Sequence, residues 1–209
     1  PRRFNNISSN EGLSQNTVNC IIQDRDGFMW LGTQNGLNCW DGYGFKIYRF
    51  DRNDTTTLPD NFILHLAEDR AGNIAIGTRN GFAYFDKKTG KFRRIKTPDA
   101  PENNLHQAVF FLDVAASGKI YFRQNSILWC YNPADGVVSS SSLTDQTTLF
   151  HSIPAANADA HYGLFKDGIY LFSYHRPERK CLVKFEESAG PASFLALHGS
   201  KLFALINGK

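Results

Sequence analysis

The chain predicts an all-β fold, a β-propeller of four-stranded antiparallel blades, on three observations. A phrase recurs: Asp24-Arg-Asp-Gly27-Phe-Met-Trp30-Leu-Gly32-Thr33-Gln-Asn35-Gly36-Leu37 returns 45 residues later as Asp69-Arg-Ala-Gly72-Asn-Ile-Ala75-Ile-Gly77-Thr78-Arg-Asn80-Gly81-Phe82. Self-similarity at a fixed period of about 40–45 residues marks propellers and related arrays. The turn marks keep that rhythm, falling at residues 36, 81, 127, 168 and 208, in steps of 45, 46, 41 and 40. An independent mark precedes each of the first four units: Leu13-Ser-Gln-Asn16, Leu58-Pro-Asp-Asn61, Leu105-His-Gln-Ala108 and Leu143-Thr-Asp-Gln146. Finally, short β-branched and aromatic runs alternate with Asp-Gly and Asn-Gly turns, and glycines recur too often for helices.

The first unit reads as strands at 18–23, 28–32, 37–40 and 45–48, with Asp24-Arg-Asp-Gly27 and Asn35-Gly36 as hairpin turns. Its first two strands are apolar on both faces, as expected of a sheet stacked between two others. The second unit supplies runs at 62–66, 74–77, 82–85 and 91–95. The third is fainter, with 109–112, 120–122 and 127–131. The fourth keeps 149–150, 161–165 and 169–172, and the fifth 194–197 and 202–205. The expected blades are 13–50, 58–97, 105–140, 143–186 and a truncated 191–209. Residues 1–8 take the place of a ring-closing strand, so that 1–209 makes a partial propeller of about four and a half blades. A blade cut after its second strand leaves bare edges, so the expectation is the N-terminal part of a larger protein.

Composition excludes several classes. Hydrophobic residues make up 42% and charged residues 21%, ordinary for a folded domain, and no run is long enough to cross a bilayer. Lys and Arg exceed Asp and Glu by three, and the densest basic cluster, Lys91-Phe-Arg93-Arg94-Ile-Lys96, alternates as one solvated strand face would. That argues against a nucleic-acid patch. Cys20, Cys39, Cys130 and Cys181 match no metal knuckle or redox pair. Cys20 and Cys39 lie two strands apart, about 9–10 Å at the usual strand spacing, too far for a disulfide.

The phrase Gly12-Leu13-Ser14-Gln15-Asn16-Thr17-Val18, with Asp24-Arg-Asp-Gly27-Phe-Met-Trp30-Leu-Gly32-Thr33-Gln-Asn35-Gly36-Leu37-Asn-Cys-Trp-Asp41-Gly42, resembles the two-component regulator propeller repeat. More narrowly, it is similar to the start of the sensor region of hybrid two-component systems of Bacteroides-type bacteria. The match is strong over residues 4–96. It departs at Ala75, where the repeat's Trp stands, and at Arg123-Gln124, where Gly-Thr stands. The resemblance implies a periplasmic segment of an inner-membrane protein, seven-bladed propellers of which this is part of one, and a second propeller. It also implies a histidine kinase in the full-length protein, an oligosaccharide ligand, control of polysaccharide-utilisation genes, and a homodimer. The segment itself is expected to perform no chemistry and to need no cofactor.

Local chemistry agrees with a scaffold. Asp24-Arg-Asp26-Gly27 opens like a calcium loop, yet the twelfth position is Asn35 and not the Glu such a loop requires; it reads as an Asx turn. Six histidines show no metal-ligand spacing. Trp30, Trp40 and Trp129 lie in strands, where aromatics pack between blades. Ligand contacts are expected instead on the loops of one rim: Gln34, Arg79, Asn61, His106, Gln107 and Gln124. Amides and arginine there suit hydroxyl-rich or acidic saccharides. Gln34 and Arg79 occupy matching positions and are the strongest candidates, whereas Asn35 and Asn80 are expected to serve the turn through positive φ. The alternatives are a propeller lyase or glycosidase, and a protein-interaction scaffold.

Overall fold

The computed structural model describes residues 6–98, 107–124, 127–141, 149–154, 160–174, 178–185, 192–198 and 201–206. After a 3-10 turn at Ser9–Glu11, eighteen strands follow among these residues. The first sheet contains β1 (Val18–Gln23), β2 (Met29–Thr33), β3 (Gly36–Trp40) and β4 (Phe45–Tyr48), and the second β5 (Ile63–Glu68), β6 (Ile74–Thr78), β7 (Gly81–Asp86) and β8 (Lys91–Ile95). The third contains β9 (Val109–Val114), β10 (Ile120–Gln124), β11 (Ile127–Tyr131) and β12 (Val138–Ser140), and the fourth β13 (Leu149–Pro154), β14 (His161–Phe165), β15 (Gly168–Phe172) and β16 (Arg179–Lys184). β17 (Ala192–His198) and β18 (Lys201–Ile206) pair as a hairpin. Each sheet keeps its strands in chain order, the up-and-down blade of a propeller. β12 and β16 have no counterpart in the sequence reading, because Val-Ser-Ser and Arg-Lys-Cys-Leu-Val-Lys carry little strand pattern. Of the expected ring-closing strand, residues 1–5 lie outside the described residues and 6–8 form no strand. The expected turn at Asn207-Gly208 also lies outside them.

Two compact units divide the chain at Leu112/Asp113. In the first, one face of the first sheet (Cys20, Ile22, Trp30, Leu37, Cys39, Tyr48) packs on Ile63, Leu66, Ile74, Ile76, Phe85 and Phe92. Glycine is required at this seam. A Cβ on Gly32 would stand 2.6 Å from Ile63 Cγ2, and one on Gly77 2.8 Å from Val109 Cγ1, so the next inner strand could not approach. Among the described residues, no other sheet of the unit covers the opposite face. β1 is accordingly more open than its apolar composition suggested, with Val18 and Ile21 exposed. In the second unit, Tyr162, Leu164, Ile169, Phe185 and Leu202 form a cluster between the fourth sheet and the β17–β18 hairpin.

The repeated phrase is a set of turns. Asp24 Oδ1 accepts the N–H groups of Asp26 and Phe28, and Asp69 Oδ1 those of Ala71 and Asn73. Thr33 accepts from Asn35 N–H and donates to the Gly36 carbonyl; Thr78 does the same with Asn80 and Gly81. The left-handed residue of this turn is the glycine, Gly36 at φ 117° and Gly81 at φ 121°. The asparagines are therefore not needed for it. Asn35 instead reaches back to the Ser14 carbonyl.

Both departures from the repeat have physical counterparts. Trp30 Nε1 donates to Asp24 Oδ2 at 2.7 Å. Ala75 has no donor, but its cross-strand partner is Tyr84, whose hydroxyl donates to Asp69 Oδ2 at 2.5 Å. The large aromatic has crossed to the neighbouring strand and fills the same role. Where Gly32 and Gly77 admit the next inner strand, Arg123 donates from Nη1 to the Leu149 carbonyl at 2.8 Å.

Candidate functional site

The strip formed by the β2–β3 turn, the connection from β4 to β5 and the β6–β7 turn holds three of the six rim candidates. Gln34 stands exposed in the two-residue loop between Thr33 and Gly36. The Gly36 N–H donates to the Asn61 carbonyl at 2.7 Å, and Asn61 Oδ1 accepts the Phe50 N–H at 2.7 Å. Asn61 thus stitches the turn to the connection, and its side-chain oxygen already has a partner. Arg79, at the position matching Gln34, is 65% exposed at its side chain. Its guanidinium lies over the Phe62 ring, 5.1 Å from the centroid, and its Nε is 3.7 Å from Asp60 Oδ2. The Arg79 N–H donates to the Phe62 carbonyl at 2.9 Å, fixing the backbone beneath it. The stack on Phe62 orders the guanidinium and leaves most of it facing water. A 3.7 Å contact to the half-buried Asp60 carboxylate saturates few of its five donors.

The remaining candidates are placed differently. Gln107 is 6% exposed just before β9, and Gln124 is 2% exposed at the end of β10. Gln124 occupies the place of Thr33 in the first sheet, and neither amide faces water. His106 lies outside the described residues. Trp30 and Trp129 are buried, the placement of core residues, whereas Trp40 is only half-buried and packs beside Phe45.

On the Asp24 side of the sheets, the sequence reading did not identify a cross-sheet clamp. Lys87 Nζ lies 2.9 Å from Asp24 Oδ2 and 2.5 Å from Asp26 Oδ2. Arg25 pairs with Glu68 at 3.0 Å and donates to the carbonyls of Asp69 and Arg70 at 2.7 and 2.6 Å. Burial pushes the Asp24 carboxyl up, but Lys87, Trp30 Nε1 and the Phe28 N–H outweigh it and hold it below the usual carboxylate range. Desolvation opposes the Lys87 charge, and the two aspartates overcome it, raising its pKa. Asp24 is therefore consumed by turn, indole and ammonium, which leaves it no role as a calcium ligand. Among the described residues no cluster of three His, Cys, Asp or Glu could hold a metal, and all four cysteines are free. The Cys20 thiol is pushed up to about 12 by burial, an inert structural thiol. The clamp was hidden because Lys87 is 63 residues from Asp24 and belongs to no repeated phrase.

Residues 12–35 match the two-component regulator propeller family. Over 55 residues the chain is 46% identical to histidine kinase P4 of Formosa agariphila, an overlap of 26% of this chain and 4% of that protein. Its fold is similar to that of the extracellular domain of hybrid two-component system BT3049 from B. thetaiotaomicron, with a TM-score of 0.71, 19% identity, and coverage of 92% of this chain and 27% of that one. It is also similar to virginiamycin B lyase from Staphylococcus aureus, with a TM-score of 0.67, 15% identity, and coverage of 90% and 62%. These likenesses identify the fold as a β-propeller. The chain spans a small part of the length of both signalling proteins.

Proposed function

We propose that this chain, which carries the two-component regulator propeller repeat, is the ligand-sensing propeller segment of a periplasmic sensor in a hybrid two-component protein. The observation that carries this reading is the repeat at residues 12–35, supported by 46% identity to a histidine kinase over 55 residues. The likeness to the extracellular domain of a hybrid system supports the same placement. No helix among the described residues is long and apolar enough to cross a membrane. The whole protein would carry the kinase, act as a homodimer and regulate genes for polysaccharide use. The ligand would be an oligosaccharide received on the rim formed by Gln34, Asn61 and Arg79. Arg79 is the group best suited to a carboxylate or sulfate on that sugar, because its guanidinium is pre-oriented over Phe62 and largely exposed. Signalling then requires that the sugar bind one arrangement of the sensor more tightly than another. The fold shared with a lyase carries no activity with it.

The test is calorimetry and thermal shift of the intact ectodomain against a panel of neutral and acidic oligosaccharides. An acidic sugar is expected to raise the melting temperature, and Arg79→Ala to weaken its binding by about 1.5–3 kcal/mol, the worth of a charge-assisted contact, without unfolding the protein. If no sugar of the panel shifts the melting temperature, the ligand assignment falls. If a sugar binds and Arg79→Ala leaves its affinity intact, the rim assignment falls and the sensor reading stands.

A further inference from the structure

Three inner strands end in the same turn: the N–H groups of Asp24, Asp69 and Ala115 donate to the carbonyls of Phe28, Asn73 and Lys119, each at 2.9 Å. Counting back two residues aligns Ile22, Ala67 and Asp113. Ile22 packs in the apolar seam of the first unit. In the second unit the same position is a carboxylate, 13% exposed, with donors around it. His161 Nδ1 on β14 lies 3.2 Å from Asp113 Oδ2. The Tyr174 hydroxyl, just beyond β15, donates to that oxygen at 2.7 Å, and the Ser152 hydroxyl on β13 donates to it as well. Asp113 Oδ1 accepts the Val114 N–H at 2.8 Å. Tyr174 stacks on Tyr121 of β10 with centroids 3.9 Å apart, and its ring lies 4.8 Å from that of His161. Burial pushes the His151 imidazole on β13 down, against the opposing pull of the Asp113 charge.

A single carboxylate on the third sheet thus gathers hydroxyl donors from β13 and from the segment after β15, with the His161 ring of β14 against the same oxygen. An apolar residue, as at Ile22, would join two sheets without the desolvation that a buried charge costs. We propose that Asp113 is a charge-dependent latch: ionised, it holds β13, β14 and the segment after β15 against β9, and neutralised, it releases them as a local unit. Removing one member of a buried charged cluster leaves the others unsatisfied, and the response should stay within the strands that share the cluster. Burial alone would push the Asp113 carboxyl up, but His161, Ser152 and Tyr174 outweigh it and hold it low. A carboxyl with a lowered folded pKa stabilises above its unfolded value, about 4, and loses that contribution as pH falls through the folded one. The latch is therefore closed at neutral pH.

Hydrogen exchange by mass spectrometry on the intact protein tests it. At pH 7, Asp113→Asn should speed exchange in peptides covering 149–154 and 160–174 by about a hundredfold, with 18–40 and 63–86 unchanged. Tyr174→Phe removes one donor and keeps the charge, so it should speed the same peptides by about tenfold. Unchanged exchange in Asp113→Asn would overturn the latch, and so would equal acceleration across all four sheets. If Asp113→Asn does not fold, Tyr174→Phe decides: localised acceleration supports the latch, and uniform or absent acceleration overturns it.

Discussion

At the turn aspartates, one requirement is met by two different side chains. Asp24 takes its donor from Trp30 on its own hairpin strand, and Asp69 takes one from Tyr84, one strand farther out. The cross-strand pairs are Trp30 with Cys39 and Ala75 with Tyr84, so large and small residues have exchanged places. Tyr84→Phe should cost about 1–2 kcal/mol in denaturant unfolding, because a buried carboxylate oxygen loses a hydroxyl donor. Trp30→Ala should cost about 3–5 kcal/mol, the usual range for an emptied aromatic site. Adding Cys39→Tyr should recover at least about 1 kcal/mol of that loss if the exchange is real. An additive double mutant would show that the two positions act independently. The sequence marked Ala75 as an exception; the replacement was illegible because strand register, and not residue spacing, makes Tyr84 its neighbour.

Single elements depend on contacts of equally long range. The connection between β4 and β5 has no strand of its own, yet Arg94 on β8 donates to the carbonyls of Asp51, Asp54 and Thr57 at 2.9, 2.7 and 2.9 Å and stacks on Phe50. Arg94→Ala should therefore make residues 51–57 the first site of limited proteolysis, with the two flanking sheets intact by circular dichroism. Equal cleavage of wild type and variant would show that the Asx turns of the loop suffice. The glycines at blade seams are the stricter constraint. Gly77→Val should destabilise by about 1–3 kcal/mol through overpacking against Val109, read as a lower denaturant midpoint. Periodic strands were legible because turn residues bound them. β12 and β16 were not, since an outer edge strand exposes both faces and needs no apolar alternation.

For the molecule as a whole, charge placement sets the response to acid. Asp24 is held below the ordinary carboxylate range and Lys87 above the ordinary lysine range. The Asp24 contribution is present above its unfolded pKa of about 4 and is lost as pH falls through the folded value; that of Lys87 is present below about 10.4 and is lost as pH rises through its own. Stability should therefore be flat across neutral pH and fall in acid, and Asp24→Asn should flatten the acid limb in pH-dependent melting. An unchanged limb would assign acid sensitivity elsewhere. By itself, the sequence determined the all-β class, the blade period, the hairpin turns and the resemblance to a sensor repeat, because these depend on neighbours within about ten residues or on a repeat visible by inspection. Tertiary structure alone decided which rim candidates face water. Arg79 and Gln34 do, whereas Gln107 and Gln124 are buried. It also assembled the Asp24–Lys87 clamp and the Asp113 cluster from distant segments. Burial and charge pairing are properties of packed sheets, and residues 39 to 63 apart in the chain meet only when those sheets stack.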